Sequence, residues 1–232
     1  MTTTANNDKT IVKDYFNAKG FDRWRRIYGD GDVNKVQADI RIGHQQTIDK
    51  VLAWLKADQN LPLRSICDAG CGVGSLSIPL HEMGARSIYA SDISEKMAGE
   101  GAERAKAKFG DTPTLTFEAK DLESISGKYN TVICLDVLIH YPTEDAAQMI
   151  AHLASLSEDR LILSFAPKTP YLTVLKKIGE FFPGPSKTTR AYQHRERDIR
   201  NILIDNGFAI ARTEMTSTSF YYSRLIEAVR LR

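Results

Sequence analysis

The stretch SICDAGCGVGSLSIPL, residues 65–80, decides how the rest of the chain is read. An apolar pair, Ile66 and Cys67, runs into Asp68, and Gly70, Gly72 and Gly74 then follow at every second residue before a helix-like apolar segment begins. That order predicts a strand, a glycine turn and a helix. Glycines at this spacing let the backbone turn tightly and approach a ligand closely, because a side chain there would clash or forbid positive φ. The dinucleotide fingerprint needs its third glycine three residues after the second. That place holds Ser75, and the third glycine falls at Gly74 instead.

The carboxylate before the turn separates two readings. Asp68-x-Gly70-x-Gly72-x-Gly74 resembles the first motif of the Rossmann-like S-adenosylmethionine-dependent methyltransferases. In that class the carboxylate and the turn backbone hold the methionine end of the cofactor, whereas dehydrogenases usually carry an apolar residue at the position of Asp68. The plain alternative is an Asp that only caps the turn.

Downstream, strand and helix alternate regularly, the pattern of a parallel sheet covered on both faces. A second strand over Ser87–Ser91 ends at Asp92, roughly 20 residues beyond the turn, where an acid can accept hydrogen bonds from both ribose hydroxyls. Ser94 caps a helix reaching Phe109. A third strand, Thr114–Ala119, precedes Asp121 and Leu122. In the methyltransferases that this order resembles, an Asp in this loop contacts the adenine amino group and an apolar neighbour packs on the ring; a solvated loop acid is the alternative. The resemblance places Ile93 and Leu135 against the cofactor as well. A fourth strand, Tyr129–Leu135, leads into Asp-Val-Leu-Ile-His140-Tyr-Pro142. Ligands of open α/β sheets bind beyond the carboxyl ends of the strands, so His140 stands where chemistry is expected; a ring bonded within the turn before Pro142 is its structural alternative. A helix from Thr143 to about Leu156, a fifth strand Arg160–Phe165, a helix to Asn206, and strands Phe208–Thr213 and Phe220–Arg230 complete the pattern.

An arm precedes this core. Val12, Tyr15 and Phe16, then Phe21, Trp24 and Tyr28, fall at helical spacing, and a second face carries Val36, Ile40, Ile48, Val51, Leu52 and Leu55. Gly29 and Gly31 separate the two parts. Phe21 and Trp24 are expected in the core, while Tyr28, beside the glycines, can turn its hydroxyl into a cleft. Residues 169–195 are too long for a simple connection and read as an inserted flap. Tyr171, Val174, Leu175, Ile178 and Phe182 form an apolar helix face ended by Pro183-Gly184-Pro185. Lys168, Lys176, Lys177, Lys187, Arg190, Arg195, Arg197 and Arg200 outweigh Glu180, Glu196 and Asp198 across the region. Apolar and basic together suit a large, flat, carboxylated substrate or a membrane surface; an ordinary solvated helix face is the alternative.

The chain as a whole narrows the function further. Its 232 residues fit one domain. Thirty-one basic and 29 acidic residues leave a net charge of +2, which gives no general pull toward nucleic acid. Cys67, Cys71 and Cys134 read as small core residues in a reducing compartment, and no second Cys or His pair accompanies them to make a zinc site. No run of roughly 18 apolar residues predicts a membrane span. The opening MTTTANNDKT is not a secretory signal, so a cytoplasmic protein is expected.

Five segments then carry a closer likeness. YFNAKGFDRWRRIYGD (15–30) with VNKVQADIRIGHQQT (33–47), CLDVLIHYP (134–142), SFAPKTP (164–170), FFPGPSKTTRAYQHRE (181–196) and YYSRLIEAV (221–229) resemble the magnesium-protoporphyrin O-methyltransferases of chlorophyll synthesis. The resemblance runs from Tyr15 to Val229. It implies an α/β, Rossmann-like class I methyltransferase fold with a mostly parallel seven-stranded sheet. It divides the chain into a helical arm (1–57), a cofactor core (58–168), a substrate flap (169–195) and a C-terminal helix and hairpin (196–232). It implies S-adenosylmethionine as methyl donor, with Asp68, Gly70, Gly72, Gly74, Asp92, Ile93, Asp121, Leu122 and Leu135 around it. The acceptor is one propionate of magnesium protoporphyrin IX, with magnesium present only as part of the porphyrin. His140 and Tyr28 are the catalytic candidates, as groups that orient the carboxylate or close the pocket. The resemblance also implies the porphyrin-binding subunit of magnesium chelatase as a partner and peripheral contact with photosynthetic membranes. Without a transit peptide before the arm, a prokaryotic protein or a mature form is expected. Two other readings stand beside it: a methyltransferase of the same fold acting on a quinone, phenol or amine, and a non-catalytic porphyrin carrier.

Overall fold

A computed structural model describes residues 3–29, 31–57, 60–170, 172–173 and 191–231. Seven strands form one sheet: β1 Ile66–Ala69, β2 Ile88–Asp92, β3 Leu115–Ala119, β4 Tyr129–Cys134, β5 Ser157–Phe165, β6 Phe208–Ser217 and β7 Tyr222–Arg230. Their spatial order is β3-β2-β1-β4-β5-β7-β6. All neighbours through β5 run parallel, and β7 enters antiparallel between β5 and β6. The chain therefore steps outward from β1 to β3 and returns to β4 on the other side of β1, and this reversal opens a crevice at the carboxyl ends of β1 and β4.

Side chains alternate between two apolar layers. Cys67, Ala69, Val132, Cys134, Leu161 and Leu163 face α6 (Thr143–Leu156) and α7 (Glu196–Asp205), packing on Met149, Ile150, Leu153, Ile199 and Leu203. Ile66, Ile133, Leu135, Ile162 and Leu225 face the other way, toward Ile48, Val51, Trp54 and Leu55 of α3 (Lys35–Lys56) and Leu80 of α4 (Ser77–Glu82). Burial on both faces is why these strands read as continuous apolar runs. Ser94 caps α5 (Glu95–Phe109) by accepting from the Met97 amide, and Gly110 ends it at a φ of 72°.

The arm is helical, as its periodicity predicts: α1 spans Thr3–Asn17 and α2 spans Lys19–Ile27. Asn34 begins α3 with a reciprocal capping box to Gln37. β6 extends beyond the expected Thr213 because its partner β7 supplies backbone pairing as far as Ser217–Tyr222, whatever the side chains. The predicted flap helix, with Tyr171, Lys176, Lys177, Ile178, Phe182, Lys187 and Arg190, lies outside the described residues, apart from its stem. There Pro167 and His194 form a parallel bridge, and the buried His194 ring meets Thr143 Oγ1 at 3.2 Å and the Leu138 carbonyl at 2.9 Å. Among the described residues no helix is long and apolar enough to cross a membrane.

Candidate active site

The glycine turn leaves β1 with Gly70 at φ 85° and Gly72 at φ 54°, in the left-handed region that side chains disfavour. A Cβ at Gly70 would also strike Val137 Cγ2 at 2.1 Å, so the turn and the loop after β4 can approach only because this residue is glycine. The turn is tied to the end of β2: Asp92 accepts the Gly72 amide at 3.0 Å on one oxygen and the Ser94 amide at 2.8 Å on the other. A carboxylate has about four acceptor positions, so these two bonds leave Asp92 capacity for hydroxyl donors. Burial lifts its pKa to about 6, against the pull of both amides. Ser91 Oγ beside it is buried with no partner among the described residues.

After β3, Asp121 caps a short 3-10 turn containing Leu122, accepting from the Glu123 amide, and its other oxygen takes Lys9 Nζ of α1 at 2.8 Å. Lys9 reaches Glu123 at 3.0 Å as well. Although burial opposes it, the Glu123 and Lys9 hydrogen bonds hold the Asp121 carboxyl below its ordinary value. The arm is thus fastened to the loop that flanks the cavity.

The loop after β4 carries the densest polar network. Asp136 adopts φ 57°, a strained value for a residue with a side chain, and many partners hold it there. Its amide donates to Ser164 Oγ at 2.8 Å. Its carboxylate accepts from the Tyr221 hydroxyl at 2.8 Å, His44 Nδ1 at 2.8 Å and Ser164 Oγ at 2.9 Å. Burial alone would raise its pKa, but the His44, Tyr221 and Ser164 bonds outweigh it and keep the carboxyl below the ordinary range. Tyr221 reaches Asp136 because α3 has glycine at 43, where a Cβ would lie 2.4 Å from the tyrosine ring.

His140 follows in the same loop. Burial depresses its pKa to about 4, only partly offset by Asp136, so the ring is neutral at physiological pH; its Nδ1 is buried without a partner among the described residues. The Phe16 ring meets it edge-on at 5.4 Å. From Phe16 the aromatic contacts continue to Trp24 at 6.2 Å, to Tyr28 at 5.2 Å and to His44 at 4.3 Å. Burial, with Asp136 and Asp92 nearby, raises the Tyr28 phenol well above its ordinary range, so it remains a donor.

These elements enclose a cavity of about 360 Å³. Of the residues expected there, Tyr28, Gly70, Gly72, Asp92, Ile93, Asp121, Leu122, Leu135 and His140 line it. Asp68 and Gly74 do not. Asp68 is buried beneath the turn and accepts the Ser77 hydroxyl at 2.5 Å, and Gly74 packs against Phe117 and Ile78, where a Cβ would come within 2.9 and 3.1 Å. Trp24, expected in the core, lines the cavity instead, because the aromatic run from Phe16 through Trp24 to Tyr28 faces the space over the sheet. The sequence reading passed over Asp136, His44, Tyr221 and Arg23, which also line it. Asp136, His44 and Tyr221 lie 92 and 85 positions apart in the chain, and no spacing rule links them. Among the described residues no group of three or more His, Cys, Asp or Glu is placed to hold a metal ion.

A family model described as a methyltransferase domain matches residues 66–159, and one described as the magnesium-protoporphyrin IX methyltransferase C-terminus matches 134–230. The chain is 70% identical over 232 residues to magnesium-protoporphyrin O-methyltransferase of Synechocystis sp., covering 99% of this chain and 100% of that protein. It is 56% identical over 223 residues to the chloroplastic magnesium protoporphyrin IX methyltransferase of Arabidopsis thaliana, covering 96% of this chain and 71% of the relative. The crystal structure of the Synechocystis magnesium protoporphyrin IX methyltransferase with bound S-adenosylhomocysteine superposes with a TM-score of 0.90 at 68% identity, covering 96% of this chain and 100% of that one. The strand order and the cavity at its reversal point are those of a Rossmann-like class I methyltransferase, and the chain belongs to the magnesium-protoporphyrin O-methyltransferase family.

Proposed function

We infer that the protein transfers the methyl group of S-adenosylmethionine to a propionate carboxylate of magnesium protoporphyrin IX, giving the monomethyl ester and S-adenosylhomocysteine in chlorophyll biosynthesis. One observation carries this reading: a single cavity joins the glycine turn and Asp92 to an aromatic wall that ends at a neutral, buried His140. The residues present fit the methyl donor. Asp92 has free acceptor capacity for ribose hydroxyls, Ser91 Oγ lacks a partner, and a Cβ at Gly72 would meet only Met97 at 3.7 Å, leaving the backbone open to a ligand. Asp121 and Leu122, with Ile93 and Leu135, are assigned to the adenosine end. Asp68 is assigned to holding the turn from below, through Ser77.

S-adenosylmethionine supplies an electrophilic sulfonium methyl, which a carboxylate oxygen takes as the sulfur keeps the bonding electron pair. The chain's part is alignment and exclusion of water. A propionate with a pKa of roughly 4 to 5 is ionised near neutral pH, so no general base is required. Neutral His140 and protonated Tyr28 are assigned as hydrogen-bond donors that orient the acceptor. The ionised Asp136 places fixed negative charge in a wall where a cation is bound. Labelled methyl transfer over a panel of porphyrins and quinones tests the reading; transfer to a quinone but to no porphyrin would reject it.

The arm, core, flap and C-terminal divisions are proposed as functional units on the same grounds. Residues 169–195 are further proposed to dock on an anionic membrane surface or on the porphyrin-delivering subunit of magnesium chelatase, a reading supported by their basic and apolar composition. Lys176→Glu with Lys177→Glu should abolish low-salt binding to both; unchanged binding would dismiss it.

A further inference from the structure

The lysine and arginine side chains around the cavity are paired with acids, with one exception. Lys9 lies between Asp121 and Glu123, Lys120 pairs with Glu118 at 3.1 Å, and His44 bonds Asp136. Arg23, on α2, lines the same cavity and has no anion among the described residues; its Nε is buried without a partner. The adjacent Trp24 repeats the pattern, with its indole Nε1 also buried in the cavity wall and unpartnered among the described residues. The two groups are held together, with the guanidinium carbon over the Trp24 ring at 5.7 Å. Guanidinium and indole N–H groups donate and cannot accept, so neither can satisfy the other. Burying donors with no acceptor is costly, and the group that suits two neighbouring donors, one of them charged, is a carboxylate.

The substrate carries two propionates, and only one is methylated. A charge-assisted clamp on the reacting carboxylate would stabilise its lone pairs and lower its nucleophilicity. On the other carboxylate it would fix the register of the macrocycle at no such expense. We propose that Arg23 and Trp24 form the anchoring site for the propionate that is not methylated, and so determine which end of the porphyrin reaches the methyl donor. This rests on the porphyrin reading above.

The test measures dissociation constants, by porphyrin fluorescence, for magnesium protoporphyrin IX, its monomethyl ester and its dimethyl ester with the full-length parent, Arg23→Gln and Trp24→Phe. Arg23→Gln should weaken the diacid and the monoester alike, by about 10- to 100-fold, and leave the dimethyl ester unchanged. Trp24→Phe, which keeps the ring and removes the N–H, should show the same pattern with a loss of about 3- to 10-fold. S-adenosylhomocysteine affinity should be unaltered in both, which shows that the fold is retained. Equal losses for all three porphyrins would mean that the pair only packs, and no loss for any would mean that it does not touch the carboxylate; either overturns the proposal. A weakened diacid with an unaffected monoester would move Arg23 to the reacting propionate and overturn the assignment made here. A parent that binds no porphyrin would overturn the functional reading itself, a result distinct from all of these.

Discussion

Asp92 joins the two halves of the cofactor site, since its carboxylate holds the Gly72 and Ser94 amides and faces the cavity. Asp92→Ala should weaken S-adenosylmethionine by about 1.5 to 3 kcal/mol, the scale of a charge-assisted hydrogen bond, and calorimetry checks it. His140 acts as a neutral ring. His140→Ala and Tyr28→Phe should therefore lower kcat by about 10- to 100-fold with little change in KM. The kcat ratio of parent to His140→Ala should be the same above and below pH 6.5, since the ring stays neutral there while Asp92 titrates near 6 in both proteins. A rise in KM with kcat intact would make both residues wall rather than machinery. Asp68 tests the electrostatics of burial. Its pKa is raised from 3.8 to about 6, chiefly by burial, so the folded state binds more protons than the unfolded state between these values. Its contribution is thus full below about pH 4 and lost as pH rises through 6, by up to about 3 kcal/mol. His140 works in the opposite sense: with its folded pKa near 4 against 6.5, it costs stability as pH falls through that window. The two trends overlap, so the difference between variant and parent is the informative quantity. Asp68→Asn, which can still accept from Ser77, should gain stability relative to the parent between pH 4 and 6 and hold that gain above it; urea midpoints at several pH values would show a flat difference if burial were not the cause.

At the scale of elements, the arm closes the cavity and side chains of α3 and α5 hold its end in place. Arg41 of α3 donates to the carbonyls of Ile27 at 2.8 Å, Arg26 at 2.6 Å and Gly31 at 2.7 Å, where α2 has run out of internal partners. Tyr28 sits within this clasp, its ring tilted against His44. Asn17 bridges to the Ser94 hydroxyl at 2.8 Å, and Arg104 of α5 donates to the Tyr28 carbonyl at 3.0 Å. Most of these bonds are polar and partly exposed, the kind that opens locally before the core does. Arg41→Ala should speed amide exchange over residues 19–29 and cost about 1 to 2 kcal/mol. S-adenosylhomocysteine with porphyrin should slow the same amides in the parent, as a lid that orders over its ligands does. Exchange that responds to neither would count against a closing arm.

Across the whole molecule, the last strand completes the sheet and locks it. β7 crosses between β5 and β6 and brings Glu227, 4% exposed, to Arg160 at 3.3 Å and to Arg212. Removing the buried carboxylate takes the counter-charge from the largely buried Arg160 guanidinium, at about 3 to 5 kcal/mol, while the exposed Arg212 loses little. Glu227→Ala should lower the denaturation midpoint by that amount while the folded fraction keeps its affinity for S-adenosylhomocysteine, since the cluster lies away from the cavity wall. A loss below about 1 kcal/mol would show that the cluster is solvated.

The order of strands and helices, the glycine turn, the acids ending β2 and following β3, and the position of His140 were legible in the residues because each depends on local rules. Backbone conformation confines glycine to certain turns, periodicity reveals which face is buried, and parallel topology places ligands at the carboxyl ends of the strands. The family resemblance added the substrate and the methyl donor. What the residues could not reveal is which groups meet across the fold. Asp136 finds His44 and Tyr221 only when α3, β4 and β7 pack together, and Asp68 turns away from the cavity because Ser77 lies beneath the turn. Trp24 has the spacing of a core residue and becomes a cavity wall, since an apolar stripe looks the same in sequence whether it packs on protein or on a ligand. Local propensity is written in neighbouring residues, whereas the partners of a buried polar group are set by tertiary packing, which alone decides what each carboxylate, imidazole and guanidinium faces.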